Sequence, residues 1–404
     1  MTTAGAPLRG VGPLYLAGFM TAFGAHGVAA ALGARSDDIG LGLLGFGVVL
    51  ALYDIAEVLL KPVFGALSDR VGVKPVIVGG LLAFTAVSLL GTVTAAPVAV
   101  ALVRLGQGAA ASAFSPASSA AVARLSGAEA TGRYFGRYGS WKSLGYAGGP
   151  LLGAVLLPAG GLPAVFAALA LLGLIAAGWA YVRVPGLPVL PRPRYTVADL
   201  VRQVTERGFV MPTLVLAAST GAFGVLVGFL PRLAGDLGLG TLGSMAAVTV
   251  LALATSAVQP VAGRWGDAGR LSTRTGTTAG LLAVAAGAVV VALAPGAVTV
   301  YLAALLAGVG IGTVTPLAFA HLAAVTPAER LGRTMGNAEL GRELGDAGGP
   351  LLVGAVASAA TLPVALGVMA ALAVVVAGTG AVVLRPVPRA AGAAPRAGRA
   401  ATAA

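Results

Sequence analysis

The stretch Gly136–Ala154, GRYGSWKSLGYAGGPLLGA, decides how the whole chain is read. It sets Gly136, Gly145, Gly149-Pro150 and Gly153 at fixed intervals, and 200 positions later Gly336, Gly345 and Gly349-Pro350 recur in the same register, again closing with GGPLL. The match continues outward: Gly132-Arg133 answers Gly332-Arg333, Ala128-Glu129 answers Ala328-Glu329, and Pro116 answers Pro316. Near the N-terminus Thr21-Ala22-Phe23-Gly24 answers Gly221-Ala222-Phe223-Gly224 at the same offset. At an offset of 198, Pro62, Gly65 and Asp69 face Pro260, Gly263 and Asp267. The chain is a duplicated unit.

With 57% hydrophobic and 10% charged residues over 404 positions, the chain is too apolar for a soluble protein and has the composition of a polytopic membrane protein. A bilayer span needs about 20 apolar residues as a helix. Twelve such runs are expected, at 12–33, 40–66, 74–95, 97–123, 133–157, 161–182, 208–231, 240–262, 275–294, 296–323, 334–357 and 361–384. The run after Arg9 is longer than the apolar core of a signal peptide and is followed by many more, so it reads as the first span. The expected organisation is a six-helix bundle over 1–182 and a polar cytoplasmic linker with an amphipathic helix over 183–207. A second six-helix bundle follows over 208–384, then an Ala-, Pro-, Gly- and Arg-rich disordered tail over 385–404. Arg70, Lys74, Arg124, Arg133, the linker arginines, Arg264, Arg270, Arg274, Arg330 and Arg333 fall on one side, against Arg35 and Arg232 on the other. The positive-inside rule then puts both termini in the cytoplasm of a cell inner (plasma) membrane protein. Two parallel halves with binding near the midplane between them is a transporter architecture.

The net charge of +12 is scattered over the loops with no basic stripe interleaved with aromatics, which argues against a nucleic-acid partner. No cysteine is present and the two histidines, His26 and His321, are far apart, so no metal site is expected. There is no Ser/His/acid grouping and no GxxxxGK[ST] loop, so neither an enzyme nor ATP drive is expected. The linker and tail are too short for the appended domain of a sensor.

Between the second and third spans lies Gly65-Ala-Leu-Ser-Asp69-Arg70-Val-Gly72-Val-Lys74, with a reduced copy, Gly263-Arg-Trp-Gly-Asp267-Ala-Gly269-Arg270, in the second half. Gly65 permits close helix approach, Gly72 a tight turn, and Asp69 stands where it can cap the positive end of the eleventh helix. This loop resembles the cytoplasmic signature of the major facilitator superfamily, with Val73 where a second base is usual. The resemblance implies an all-α membrane protein of twelve helices in two pseudo-symmetric six-helix bundles. It also implies that Gly65, Asp69, Arg70, Gly72, Lys74 and Asp267 form a latch holding the halves in an outward-facing state. The stretch first quoted resembles the motif of the superfamily's drug:proton antiporters, with Ala154 for the usual final glycine. Gly145, Gly149 and Gly153, with Gly345 and Gly349 in the copy, are either that motif or packing glycines alone; Pro150 and Pro350 allow a bend. Arg104-Leu-Gly-Gln107-Gly108 looks like the family's buried arginine motif linked to proton coupling, and Arg104 either faces the cavity beside Gln107 or bonds backbone carbonyls.

The remaining ionisable residues point to proton coupling. Asp54, Glu57, Lys61 and Gly65 share one stripe of the second helix, where a lone charge costs about 2.5–3.5 kcal/mol on insertion scales. Glu57 and Lys61 have the favourable order for an i,i+4 pair, leaving Asp54 as a proton carrier. Glu339, Arg342, Glu343 and Asp346 share a face of the eleventh helix, three acids against one base, and read as proton sites or as a structural ion-pair cluster. Arg342 is the repeat partner of Lys142. His26 is a packing residue or a relay, and Phe23 and Phe223 are cavity wall or core. The expected function is export of a small organic molecule in exchange for protons by alternating access. Asp54, Glu57, Glu343 and Asp346 would handle protons, while Lys61, Arg104, Gln107, Lys142, Glu339 and Arg342 line the cavity. The alternative is a proton symporter taking up an acidic or zwitterionic molecule. Family members exporting cationic drugs often carry a carboxylate in the first helix, and this one has none. No cofactor beyond the proton gradient is expected, and the partners are the lipid bilayer, the substrate and protons, with the chain acting as a monomer.

Overall fold

The computed structural model describes residues 10–35, 43–94, 96–127, 130–189 and 207–384. The amphipathic linker helix and the tail expected over 385–404 lie outside the described residues. The described chain is helical, in the order α1 (Gly12–Arg35), α2 (Leu43–Val71), α3 (Val73–Thr92), α4 (Pro97–Ser126), then the helical stretch Thr131–Arg183. That stretch supplies two helices, because Gly160 and Gly161 (φ 65°, ψ −160°) break it where the chain turns back; α5 precedes the break and α6 follows it. The second half gives α7 (Arg207–Asp236), α8 (Gly240–Asp267), α9 (Thr273–Leu293), α10 (Ala297–Val325), α11 (Leu331–Ala359) and α12 (Leu362–Val383). These are the twelve expected helices. Among the described residues eight of them are long and apolar enough to cross a membrane on composition alone.

Small residues let the helices pack backbone to backbone inside each half. A Cβ on Gly145 would sit 2.5 Å from the carbonyl oxygen of Phe19, and one on Gly149 2.6 Å from the amide nitrogen of Gly27, so α5 lies directly on α1. The copy repeats this: Gly345 lies against the carbonyl of Ala217 and Gly349 against that of Gly221, joining α11 to α7. Exposed Ile55, Leu59 and Val63 form the lipid-side stripe of α2.

The halves meet at one end. There Gly65 of α2 lies against Gly332 and Gly336 of α11, while Gly132 and Gly136 of α5 lie against Gly263 and Gln259 of α8. The apolar core of the first half runs across this end into Phe319, Leu322, Leu331, Met335 and Ala338. Phe135 stacks on Phe319 with ring centroids 5.4 Å apart. Farther along, Gly149 and Gly153 contact α1 and Gly349 contacts α7, each within its own half, so past the meeting end these glycine contacts no longer join the halves.

Candidate functional site

Between the halves lies an ion-pair lattice built from α2, α5 and α11. Lys61 Nζ lies 3.0 Å from Glu57 Oε2 on its own helix and 2.7 Å from Glu343 Oε1 across the interface. Lys142 Nζ of α5 lies 2.8 Å from Glu339 Oε2 and 4.0 Å from Glu343 Oε1. Arg342 Nη1 reaches the same Glu339 oxygen at 3.4 Å, and Ser119 of α4 donates to Glu339 Oε1 at 3.1 Å. Lys61 and Glu339 are 0% exposed, and charges so buried persist only with their partners in place. The lattice is electrically even: Glu57, Glu339 and Glu343 against Lys61, Lys142 and Arg342. Read along α11 alone, its acids are in surplus, and the structure corrects this: the missing bases come from α2 and α5, leaving only Asp346 over.

Asp346 and Asp54 flank the lattice, and neither has an ion pair among the described residues. Asp346 is partly buried against α7, where a Cβ on Gly224 would sit 2.6 Å from its Oδ1. Asp54 is exposed. Its stripe on α2, continued by Glu57, Lys61 and Gly65, is turned away from Ile55, Leu59 and Val63, so that exposure lies on the face of α2 that meets α11.

Arg104 takes the second of its two expected roles. Buried to 2% exposure, it donates through Nη1 to the carbonyl of Gly24 at 3.3 Å and through Nη2 to that of Ala25 at 3.4 Å. Its guanidinium stacks 4.3 Å from the Tyr53 ring centroid. Gln107 accepts from Nη1 at 3.2 Å and passes its amide to Ser88 Oγ at 2.9 Å. Both residues fasten α4 to α1 and α3.

An aromatic layer lies above the lattice. His26 packs edge-on against Tyr146, 4.4 Å between centroids, and Tyr146 against Phe223 at 5.1 Å, so the layer crosses from one half to the other. Phe23 stacks on Phe19 at 4.8 Å. Below it, Lys142, Tyr146, Thr220, Thr255, Gln259 and Arg342 line a cavity of about 30 Å³. That space suits a few waters and is far below the few hundred Å³ an organic ligand needs.

The meeting end carries two matching helix caps. Asp69 accepts from the amides of Gly332 and Arg333 at 2.8 and 2.9 Å, and Asp267 from those of Gly132 and Arg133 at 2.7 and 2.8 Å. Each carboxylate therefore sits on the first turn of a helix in the opposite half, where backbone N–H groups lack intrahelical partners. Gly72 turns the chain at φ 97°, Arg70 is exposed, and Lys74 lies 5.4 Å from the Tyr181 ring centroid. Gly153 lies along Gly27 and Ala31 of α1, and the Pro350 ring borders Gly224; the Pro150 side chain lies outside the described residues.

Sequence reasoning passed over Tyr146, Tyr53, Ser119, Ser143 and Gln259. Tyr146 stood inside the decisive stretch but outside its glycine register. Gln259 and Ser143 were detectable as the repeat counterparts of Lys61 and Glu343. Tyr53 and Ser119 had no sequence signal, since their importance comes from neighbours on other helices.

The Major Facilitator Superfamily model matches residues 14–247 and 212–404. A "Chloramphenicol resistance protein" of Pseudomonas aeruginosa is 32% identical over 268 residues, which is 63% of this chain. The matched segment spans 62% of that relative's length. Among solved structures, the human organic anion transporter MFSD10 (TETRAN) superposes with a TM-score of 0.76 at 19% identity, covering 92% of this chain and 99% of that one. FucP in the outward conformation superposes with a TM-score of 0.75 at 15% identity, covering 93% and 98%. At these identities the two structures establish the fold.

Proposed function

The chain belongs to the Major Facilitator Superfamily, and on that premise we propose that it exports a small organic molecule in exchange for protons, by alternating access to the cleft between its halves. It is a multi-pass membrane transporter and not an enzyme. Similarity to a chloramphenicol resistance protein supports the outward direction of transport. The observation that carries proton exchange is the pair of carboxylates without an ion pair among the described residues, Asp54 and Asp346, set against an evenly charged lattice that joins the halves.

In this reading Asp54 takes protons from the cleft and Asp346 lies across from it on α11. A bound proton cancels one negative charge beside the lattice. At an effective dielectric of about 20 that interaction is smaller than the about 4 kcal/mol of a pair 4 Å apart, since among the described residues neither acid comes within ion-pair distance of a lattice base, and it biases how the bases are shared among the acids. Substrate competes for the same groups, so proton and cargo alternate. The closed end carries Arg70, Lys74, Arg264, Arg270, Arg274, Arg330 and Arg333, which makes it cytoplasmic under the positive-inside rule. The state described is then outward-facing, both termini lie in the cytoplasm of an inner (plasma) membrane protein, and the Asp69 and Asp267 caps are the latch. One chain supplies both walls of the cleft, so the monomer is the transporting unit.

The test is reconstitution into lightly buffered proteoliposomes with chloramphenicol as the first probe. Export coupled to protons makes substrate movement one way raise a proton flux the other way. Co-directional fluxes would establish the uptake alternative, which the cationic Lys142 and Arg342 in the cavity wall favour. Substrate flux that ignores an imposed pH gradient would refute proton coupling.

A further inference from the structure

The two seams between the halves are related by the internal repeat, and only one of them is ionic. On one side Lys61 of α2 meets Glu343 of α11 at 2.7 Å; on the other, Gln259 Nε2 of α8 donates to Ser143 Oγ of α5 at 2.8 Å. Gln259 follows Lys61 by 198 positions and Glu343 follows Ser143 by 200, the same offsets that pair Pro62 with Pro260, Asp69 with Asp267 and Gly145 with Gly345. The ion pair and the amide–hydroxyl bond are therefore one ancestral contact, kept twice with different chemistry. Around them the seams agree, each with a cross-half aspartate cap and close glycine packing. Among the described residues the neutral seam adds Ser140 Oγ donating to the Ser256 carbonyl at 2.6 Å and the weaker return bond at 3.3 Å.

The groups facing Glu343 are Asp54, Glu57 and Lys61 from α2, Lys142 and Tyr146 from α5, and His26 from α1, with Glu339, Arg342 and Asp346 on its own helix. Tyr53 of α2 also faces it, Arg104 of α4 acts through Asp54 and Glu57, Arg207, Arg232 and Asp236 lie toward the ends of α7, α10 carries Tyr301 and His321, and α12 has no ionisable residue. Among the lattice acids, Glu343 is the one that both spans the seam and can take a proton without stranding a base. Its Oε1 is shared by Lys61 and, at 4.0 Å, Lys142. Lys61 keeps Glu57 at 3.0 Å and Lys142 keeps Glu339 at 2.8 Å. Among the described residues Glu339 is the one acid paired with Arg342, so its protonation would leave an uncompensated buried charge. Glu57 pairs within α2 and spans no seam.

Resting on the proton-exchange reading above, we propose that Lys61–Glu343 is a proton-operated lock on the closed end, and that Gln259–Ser143 is its charge-free counterpart, equally strong at every pH. Protonation of Glu343 removes the ion pair between α2 and α11, leaving the Asp69 cap and the neutral seam, whose hold on the closed end is the same at every pH.

The chain has no native cysteine, so paired labels can be placed without background. Spin-label pairs at Val71→Cys with Ala328→Cys, and at Ala130→Cys with Ala268→Cys, report the two seams in the purified full chain in lipid nanodiscs, without substrate or gradient. The parent should show an open fraction at both seams that rises at least fivefold between pH 8.5 and 5.5. Glu343→Gln should hold that fraction near the parent's low-pH value throughout, and Lys61→Gln with Glu343→Ser, which copies the neutral contact, should also be flat. Gln259→Ala with Ser143→Ala should raise the open fraction by a similar factor at every pH, leaving the pH slope intact. A parental slope in Glu343→Gln, a parent whose seams ignore pH, or a slope abolished by Gln259→Ala with Ser143→Ala would each overturn the proposal. Glu343→Gln preserves size and leaves both lysines paired, so the test survives if the double exchange fails to fold. Proton-coupled flux by the parent is read separately in proteoliposomes, so failure of the lock and failure of the transport reading are distinguishable.

Discussion

Lys142 and Arg342, equivalent positions of the two halves, converge on one carboxylate oxygen, Glu339 Oε2, at 2.8 and 3.4 Å. A single acid thus neutralises a pair of bases that the repeat brought face to face. Removing its charge leaves two buried cations facing each other, with only the longer 4.0 Å contact of Lys142 to Glu343 Oε1 to offset their repulsion. Glu339→Gln is expected to destabilise the closed state by about 3–5 kcal/mol, the cost of breaking a buried pair from one side. Thermal unfolding in detergent checks this, and Lys142→Met added to Glu339→Gln should recover part of the loss.

Asp54 and Asp346 stand outside that balance, so their neutral forms should fold normally. Asp54→Asn and Asp346→Asn are each expected to lower proton-driven flux in proteoliposomes at least tenfold. Their unfolding free energies should stay within about 0.5 kcal/mol of the parent, as for substitutions that break no native contact. Full coupled flux in Asp54→Asn would remove it from the proton path.

The caps made by Asp69 and Asp267 are geometrically alike, and so should be their loss. Asp69→Ala and Asp267→Ala are each expected to weaken closure by about 1–2 kcal/mol, the scale of a lost helix cap with its charge. That is roughly a tenfold change in the closed-to-open ratio. Cysteine cross-linking across each seam would measure it; Asn at either position should retain part of the effect, since its amide oxygen still accepts.

Arg104 is expected to matter for stability rather than for pH response. Arg104→Lys keeps the charge but cannot span the carbonyls of Gly24 and Ala25 or lie flat on Tyr53. A loss of about 2 kcal/mol is expected, equal at pH 6 and pH 8, as charge-assisted hydrogen bonds of this kind are worth about 1.5–3 kcal/mol. Denaturant or thermal melts at the two pH values would separate this from a role in proton transfer.

The helices were legible because lipid imposes one requirement on every span, a long apolar run, and that requirement is local in sequence. The observed ends fall within a few residues of the expected ones, and the α5–α6 turn came at the second of two Gly-Gly pairs in that stretch, Gly160-Gly161. The Asp69 contact was legible too, since duplication placed the same carboxylate twice beside the same helix start. Charge pairing was not. Whether the acids of α11 are surplus depends on Lys61 and Lys142, which no pattern along α11 reports. Arg104 looked equally fit for a cavity and for two backbone carbonyls, and the choice was made by how closely α1 passes. Linear periodicity says which face a residue is on; it does not say which neighbour that face meets.

The glycine ladders that press α5 onto α1 and α11 onto α7 have a mechanical consequence. With carbonyl and amide groups rather than long side chains in contact, there is little soft material to absorb strain, so each such pair should behave as a stiff beam. A displacement of well under an ångström at the charged floor is then delivered undamped to the far rim of the cleft, where the beam's length multiplies it into a gate wide enough for cargo.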